Sequence, residues 1–358
     1  MSLAVTVLKN SAVLLLFLLF ISCGTKNKEY ANNAFPYSQF PQEKELKGEV
    51  IELDTALFRY PFRIRIEGDK AIVLDLHGSD YYGHLFQYPS FRYLSSFGRR
   101  GDSPLEMLSM ENFRLHNHTL WTLDANKSEL TRLDFSSSGD SLLREETVAL
   151  DEDILRPLDF AIYNDTTFVI PDYSGESRFL KVDCKGKLIE KIGTIPTTNK
   201  KALQEARPAL AQAWRSFLDY NSHNSVLATV TQLGEVVEIY NLKDSTHVIR
   251  VGEYDEPEFK VSDGYGIPTG IMGFSDVQVT DDAIYAVFHG TSFKDIARQS
   301  GRLPDGGKYI YVFSLKGEPL CKYVLDHYIY GIWVDEVTKT IMATDVNNDQ
   351  PILKFSFG

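Results

Sequence analysis

Four aspartates, Asp75, Asp124, Asp172 and Asp345, stand at one position of a recurring segment in which a polar turn leads into two or three apolar residues and an acid ends the run. The copies are Lys70–Asp75, Thr119–Asp124, Thr167–Asp172 and Thr340–Asp345, with two degenerate copies, Val226–Thr231 and Ala283–Phe288, in the long gap. If the side chains ring one mouth, a set of carboxylates is suited to Ca²⁺ or a cationic ligand. The competing chemistry is structural: an aspartate at the end of a strand accepts backbone N–H bonds and caps its own turn. Repetition of one position favours capping, because a ligand needs asymmetry. His289 follows the fifth copy directly and is the best single polar candidate for the same rim, and His77 is placed similarly. The remaining histidines are scattered, with no H-E-x-x-H and no Cys/His cluster, so no zinc site is expected. His116 and His118 read as a solvated pair. No G-x-S-x-G elbow, P-loop or dinucleotide fingerprint occurs, which leaves no catalytic constellation.

Cys23 carries chemistry of another kind. The apolar run Ala12–Ile21 is too short to span a bilayer and fits the core of a signal peptide. It ends in Phe20-Ile21-Ser22-Cys23-Gly24, which resembles a bacterial lipoprotein signal, so residues 1–22 are expected to be removed and Cys23 to be lipidated. A lipid anchor of two or more chains would hold the following domain at a membrane surface. Gly24 after the cysteine makes the outer membrane the default destination. Residues 23–44 are polar and read as a tether. Cys184 and Cys321 read as isolated buried thiols rather than a disulfide.

The elements that must position these residues are strands. Of 358 residues, 43% are hydrophobic and 12% aromatic, too many for a disordered chain. With 37 basic and 49 acidic side chains the net charge is −12, which argues against a nucleic-acid partner. From about residue 50, alternating runs such as Phe62-Arg63-Ile64-Arg65-Ile66 and Tyr309-Ile310-Tyr311-Val312-Phe313 are separated by Gly, Asp, Asn and Ser turns. Only Asn199–Leu218 looks helical, with Leu203, Ala206, Leu210, Trp214 and Phe217 in phase and Pro208 as an interruption. A period near 50 residues with several short strands per unit is the mark of a propeller blade. Six units are present, and each has a later half ending in a Gly-marked hairpin, as at Gly186 and Gly317. The sixth ends at the C-terminus without room for an outermost strand, which Gly48–Leu53 can supply. The expectation is one all-β, six-bladed β-propeller over residues 45–358, closed by an N-terminal strand, with one short helical insertion on its rim.

The recurring apolar-apolar-x-x-Asp unit resembles six-bladed propellers of the NHL and TolB-like kind. Phe97-Gly98-Arg99-Arg100-Gly101-Asp102-Ser103-Pro104-Leu105-Glu106 is similar to the connector of TolB-like propeller lipoproteins of Bacteroides-type bacteria, and Val251–Phe259 is a looser second copy. The Arg100-Gly101-Asp102 tripeptide inside it is explained by turn geometry rather than by adhesion. The lipoprotein signal, the closed repeat and the absence of a catalytic constellation lead to the expectation of a lipid-anchored, monomeric, non-enzymatic propeller that binds an envelope protein, peptide or glycan on one face; the resemblance itself speaks to the fold. The candidate mouth residues are Asp75, Asp124, Asp172, His289 and Asp345, with no cofactor. The alternative is a periplasmic hydrolase of the sugar-lactonase type holding Ca²⁺ in its channel, for which Asp276, Asn224 and Asn347 are ingredients without a diagnostic spacing.

Overall fold

A computed structural model of the chain describes residues 33–54, 58–299 and 303–358; the signal, Cys23 and the start of the tether lie outside the described residues. Six antiparallel sheets follow one another along the sequence. Blade 1 runs Pro61–Glu67, Lys70–Asp75, Tyr81–Gln87 and Arg92–Arg99, naming strands from the axis outward. Blades 2 and 3 begin at Met110–His116 and Ala161–Asn164, and blades 4, 5 and 6 at Ser216–Asn221, Phe274–Val279 and Ile332–Asp335. Each of these six innermost strands packs against the next, and that of blade 6 packs against that of blade 1, which closes the ring. The six recurring segments read from the sequence are the second strands of the six blades.

Closure follows the sequence expectation. Glu49–Ile51 pairs antiparallel with Ile352–Ser356 and becomes the outermost strand of blade 6, Val50 opposite Leu353. The polar stretch before it is not a free tether from residue 33 on. Ala34–Pro36 lies parallel to Thr246–Val251 at the edge of blade 4, and Glu43–Leu46 lies parallel to Pro319–Ile329 at the edge of blade 5. Two edges that would otherwise offer unpaired backbone are thereby covered.

Apolar layers sit between neighbouring blades. Trp121, Leu130 and Val148 of blade 2 meet Phe160, Phe168 and Leu180 of blade 3, and Tyr285 and Ile310 of blade 5 meet Ile341 and Phe355 of blade 6. The aromatic content is used here, where large flat side chains fill the wedge between twisted sheets. The hairpin tip of blade 3 shows how tight the stacking is. Gly186 has φ +80°, and a Cβ there would lie 1.9 Å from the carbonyl oxygen of Ala149 in blade 2.

The helical reading needs one correction. Asn199–Leu218 is not one helix but two short ones, Lys200–Glu205 and Arg207–Ala213, followed by the first strand of blade 4 from Ser216. Pro208 sits in the first turn of the second helix, where its missing N–H costs nothing. Phe217 and Leu218 belong to the strand. A third helix, Phe293–Arg298, stands in the loop after the second strand of blade 5. No helix among the described residues is long and apolar enough to cross a membrane.

Candidate binding face

The alternation of strand direction assigns every connection to one of two faces. Loops between second and third strands share a face with the connections from blade to blade; the other hairpins turn on the opposite face. The opposite face carries tight turns, such as Asn117-His118 with φ +50° and +59°. The first face carries both helices after blade 3, a hairpin of Phe259–Ser262 and Tyr265–Pro268 after blade 4, and the helix-bearing loop of blade 5.

The four repeated aspartates all end second strands at this loop-bearing face, and all are at most 3% exposed. Asp75 accepts from the backbone N–H of Arg59, Tyr60 and His77 at 2.7–3.1 Å. Asp124 accepts from Leu108, Ser109, Asn126 and Lys127 in the same manner. Asp172 takes the N–H and hydroxyl groups of Ser174 and Ser177. Asp345 takes the N–H of Asn347 and the side-chain amides of Asn347 and Asn348. In blades 1 and 2 one carboxylate therefore ties the incoming connector to the blade's own loop. The carboxylates are taken up by backbone and side-chain donors of their own blades' loops and, in blades 1 and 2, of the incoming connectors.

His289 sits at the loop-bearing mouth, nearly buried and edge-on to Tyr330 with ring centroids 5.6 Å apart. Burial pulls its pKa down to about 4, so the ring is neutral at pH 7, and its Nε2 makes no hydrogen bond. Tyr330 also packs against Tyr60 and Phe62. The Tyr60 hydroxyl donates to Asp305 at 2.5 Å, and Asp305 is latched to Asn347 by two 2.8 Å bonds. His77 packs against the Tyr60 ring as well, so His77 and His289 do border one aromatic mouth.

Below that mouth the channel is filled by charge that the sequence reading missed. Arg63 of blade 1 bonds Asp276 of blade 5 at 2.9 Å, and Arg65 engages both oxygens of Asp276 at 3.0 Å. Arg114 of blade 2 bonds Asp159 at 2.7 Å, and both of these bond the backbone of Leu218 in blade 4. Arg63 also lies under the rings of Phe62 and Phe217, 4.5 and 4.7 Å from their centres. Burial opposes the charge on Asp276, but the Arg63 and Arg65 guanidiniums outweigh it and hold the carboxyl below its ordinary range. This arrangement removes the support for a lactonase-type centre. Asn224 sits in a turn on the opposite face, bonded to Thr280, and Asn347 in a loop of the near face, so neither meets Asp276. Among the described residues no group of three His, Cys, Asp or Glu is placed to hold a metal.

The added segments build a pocket of about 200 Å³ on the loop-bearing face. The second helix supplies Pro208 and Gln212, the hairpin supplies Gly264 and Tyr265, and Leu155, Tyr173 and Arg215 complete the wall. Gln212 accepts from the N–H of Gly266 at 3.0 Å, which joins helix to hairpin. The Tyr173 hydroxyl is buried without a hydrogen bond. Leu155 and Tyr265 are 54% and 59% exposed. Of the two thiols, Cys321 is buried and Cys184 half-buried, and both are free.

Six sheets closed by an N-terminal strand around an ion-paired channel define a six-bladed β-propeller with one elaborated face. The chain belongs to the TolB-like 6-blade propeller-like family, whose model matches residues 39–337. Among solved structures it is similar to a putative exported protein from Bacteroides fragilis, at 12% identity and TM-score 0.56 over 90% of this chain and 98% of the other. A member of the duf4221 family from Bacteroides vulgatus matches at 10% identity and TM-score 0.55 over 88% and 96%. An auxiliary nutrient binding protein from Bacteroides ovatus matches at 10% identity and TM-score 0.52 over 84% and 70%. At these identities the likeness concerns the fold alone. No curated protein matches the sequence.

Proposed function

We propose that the protein is a lipid-anchored outer-membrane propeller, attached through Cys23, that binds a partner protein, peptide or glycan on its loop-bearing face and carries out no chemistry. The observation that carries this reading is the asymmetry of the two faces. Every long connection between strands, with its two helices, a hairpin and a helix-bearing loop, falls on one face, whereas the connections of the other are short turns. Surface loops held by a rigid scaffold are where binding residues concentrate. The additions and the connection from blade 2 to blade 3 border a pocket, with Leu155 and Tyr265 exposed in its lining. The names of two fold neighbours, an exported protein and an auxiliary nutrient binding protein, support an extracytoplasmic binding role.

Chemical crosslinking in intact envelopes tests the reading. A specific adduct formed by the native chain and lost from the Leu155→Ser, Tyr265→Ser double variant, with thermal stability kept, is the expected result. An adduct undiminished in the double variant would move the binding surface elsewhere. Release of the Cys23→Ser chain from the membrane fraction is expected in the same preparation.

A further inference from the structure

The N-terminal segment and blades 4 and 5 enclose a second cavity, of about 260 Å³, apart from the pocket described above. Three glutamates reach it: Glu43 from the N-terminal segment, and Glu235 and Glu253 from the loops of blade 4. Glu43 is neutralised by Lys322 at 3.0 Å, and the same ammonium lies 4.6 Å from the Tyr309 ring centre. The one basic side chain of the lining is thus committed, and among the described residues Glu235 and Glu253 have no cationic partner.

Glu235 is buried, fixed by the N–H of Tyr254 at 3.1 Å. Burial raises its pKa, and Glu253 pushes in the same direction. The other walls are aromatic. Tyr37 stands edge-on to Phe40 and Tyr311, at 5.7 and 6.4 Å, and Tyr254 adds a further ring. The Tyr37 hydroxyl is buried within electrostatic reach of Glu235 but makes no hydrogen bond of good geometry.

We propose that this cavity receives an alkylammonium group, held between Glu235 and Glu253 and enclosed by Tyr37, Tyr254 and Tyr311. Carboxylates supply the counter-charge, ring faces attract a partly desolvated cation, and the Tyr37 oxygen, beside Glu235, can accept one of the ammonium protons. A neutral polyol would leave the two carboxylates uncompensated, and an anion would meet both of them. The cavity lies below the usual size range of pockets for drug-like ligands, so the group belongs to a small amine or to the end of a lysine side chain. Because Tyr37 and Phe40 come from the N-terminal segment, a bound amine would also fasten that segment to blades 4 and 5.

Calorimetric titration of the full chain in detergent tests the site independently of the loop-face reading. n-Butylammonium, putrescine and Nα-acetyl-lysine amide are the probes, with n-butanol and butyrate as controls. The expected result is saturable binding of the ammonium probes, at least about ten-fold tighter than either control. Glu253→Gln, an exposed position, should weaken binding about ten-fold without shifting the unliganded melting temperature, and Tyr37→Phe should weaken it several-fold. Tighter binding of putrescine assigns the group to a free amine, and tighter binding of the lysine amide to a partner's lysine. No binding by any ammonium probe, equal binding of n-butanol, or an undiminished Glu253→Gln variant would overturn the proposal.

Discussion

Arg63 and Asp276 meet at 2.9 Å although they belong to blades 1 and 5, which are separated in the ring by blade 6. Their side chains are 1% and 2% exposed, so the pair fastens the ring from within. Removing one partner of such a pair leaves a buried charge uncompensated, which costs about 3–5 kcal/mol. Asp276→Asn is expected to lower stability by this order in denaturant titration, with no dependence on added Ca²⁺. A small loss that added Ca²⁺ modulates only in the native chain would instead mark Asp276 as a metal ligand.

The repeated aspartates make a different prediction. Asp124 satisfies four backbone N–H groups, and loss of a buried acceptor leaves donors unpaired at about 1–3 kcal/mol. Asp124→Ala should therefore destabilise the fold by that order and leave partner crosslinking at the loop-bearing face unchanged. Crosslinking lost at full stability would assign the carboxylate to ligand binding.

His289 ties stability to pH with a definite sign. Its folded pKa is near 4 because the ring is buried, against about 6.5 in the unfolded chain. Between these values the unfolded state binds the extra proton, so stability rises with pH from about 4 to about 6.5 and is fully present above that range. The contribution is of order 3 kcal/mol. His289→Gln should flatten this limb of the stability profile. An unchanged slope between pH 4 and 6.5 would show that the imidazole is hydrated.

Two glycines of like backbone conformation should differ in what an added methyl costs. Gly186 and Gly317 have φ +80° and +84°, so alanine is strained at both. At Gly186 the methyl meets the backbone oxygen of Ala149 at 1.9 Å; at Gly317 the nearest atom, at 2.9 Å, is the flexible tip of Ile239. Gly186→Ala is expected to lower the melting temperature well beyond Gly317→Ala. Equal losses would mean that dihedral strain alone decides.

The fold was legible because its signals are local and repeated: a polar turn, an apolar run and an acid recur at blade spacing. The closing strand was legible because a sixth blade lacking its outer strand has an unpaired edge. What was missed depends on partners remote in sequence. Ala34–Pro36 is only three residues long and Glu43–Leu46 is mostly charged and exposed, so neither alternates like a strand, and the strand character of both comes from the blade beside them. Phe62-Arg63-Ile64-Arg65-Ile66 alternates like a half-solvated strand, yet every one of these residues is buried, since its charged side faces Asp276 rather than water. Likewise Glu235, Glu253 and Tyr37 share a cavity only after the N-terminal segment has crossed blades 4 and 5, and no spacing announces that.

Site-specific photocrosslinking distinguishes the loop-bearing face from the opposite face as the binding surface. A photoreactive residue at position 265, in the hairpin, is compared with one at position 337, a turn residue of the opposite face that is 93% exposed. A specific adduct is expected from position 265 and none from 337 in intact envelopes. An adduct from 337 with none from 265 would contradict that assignment.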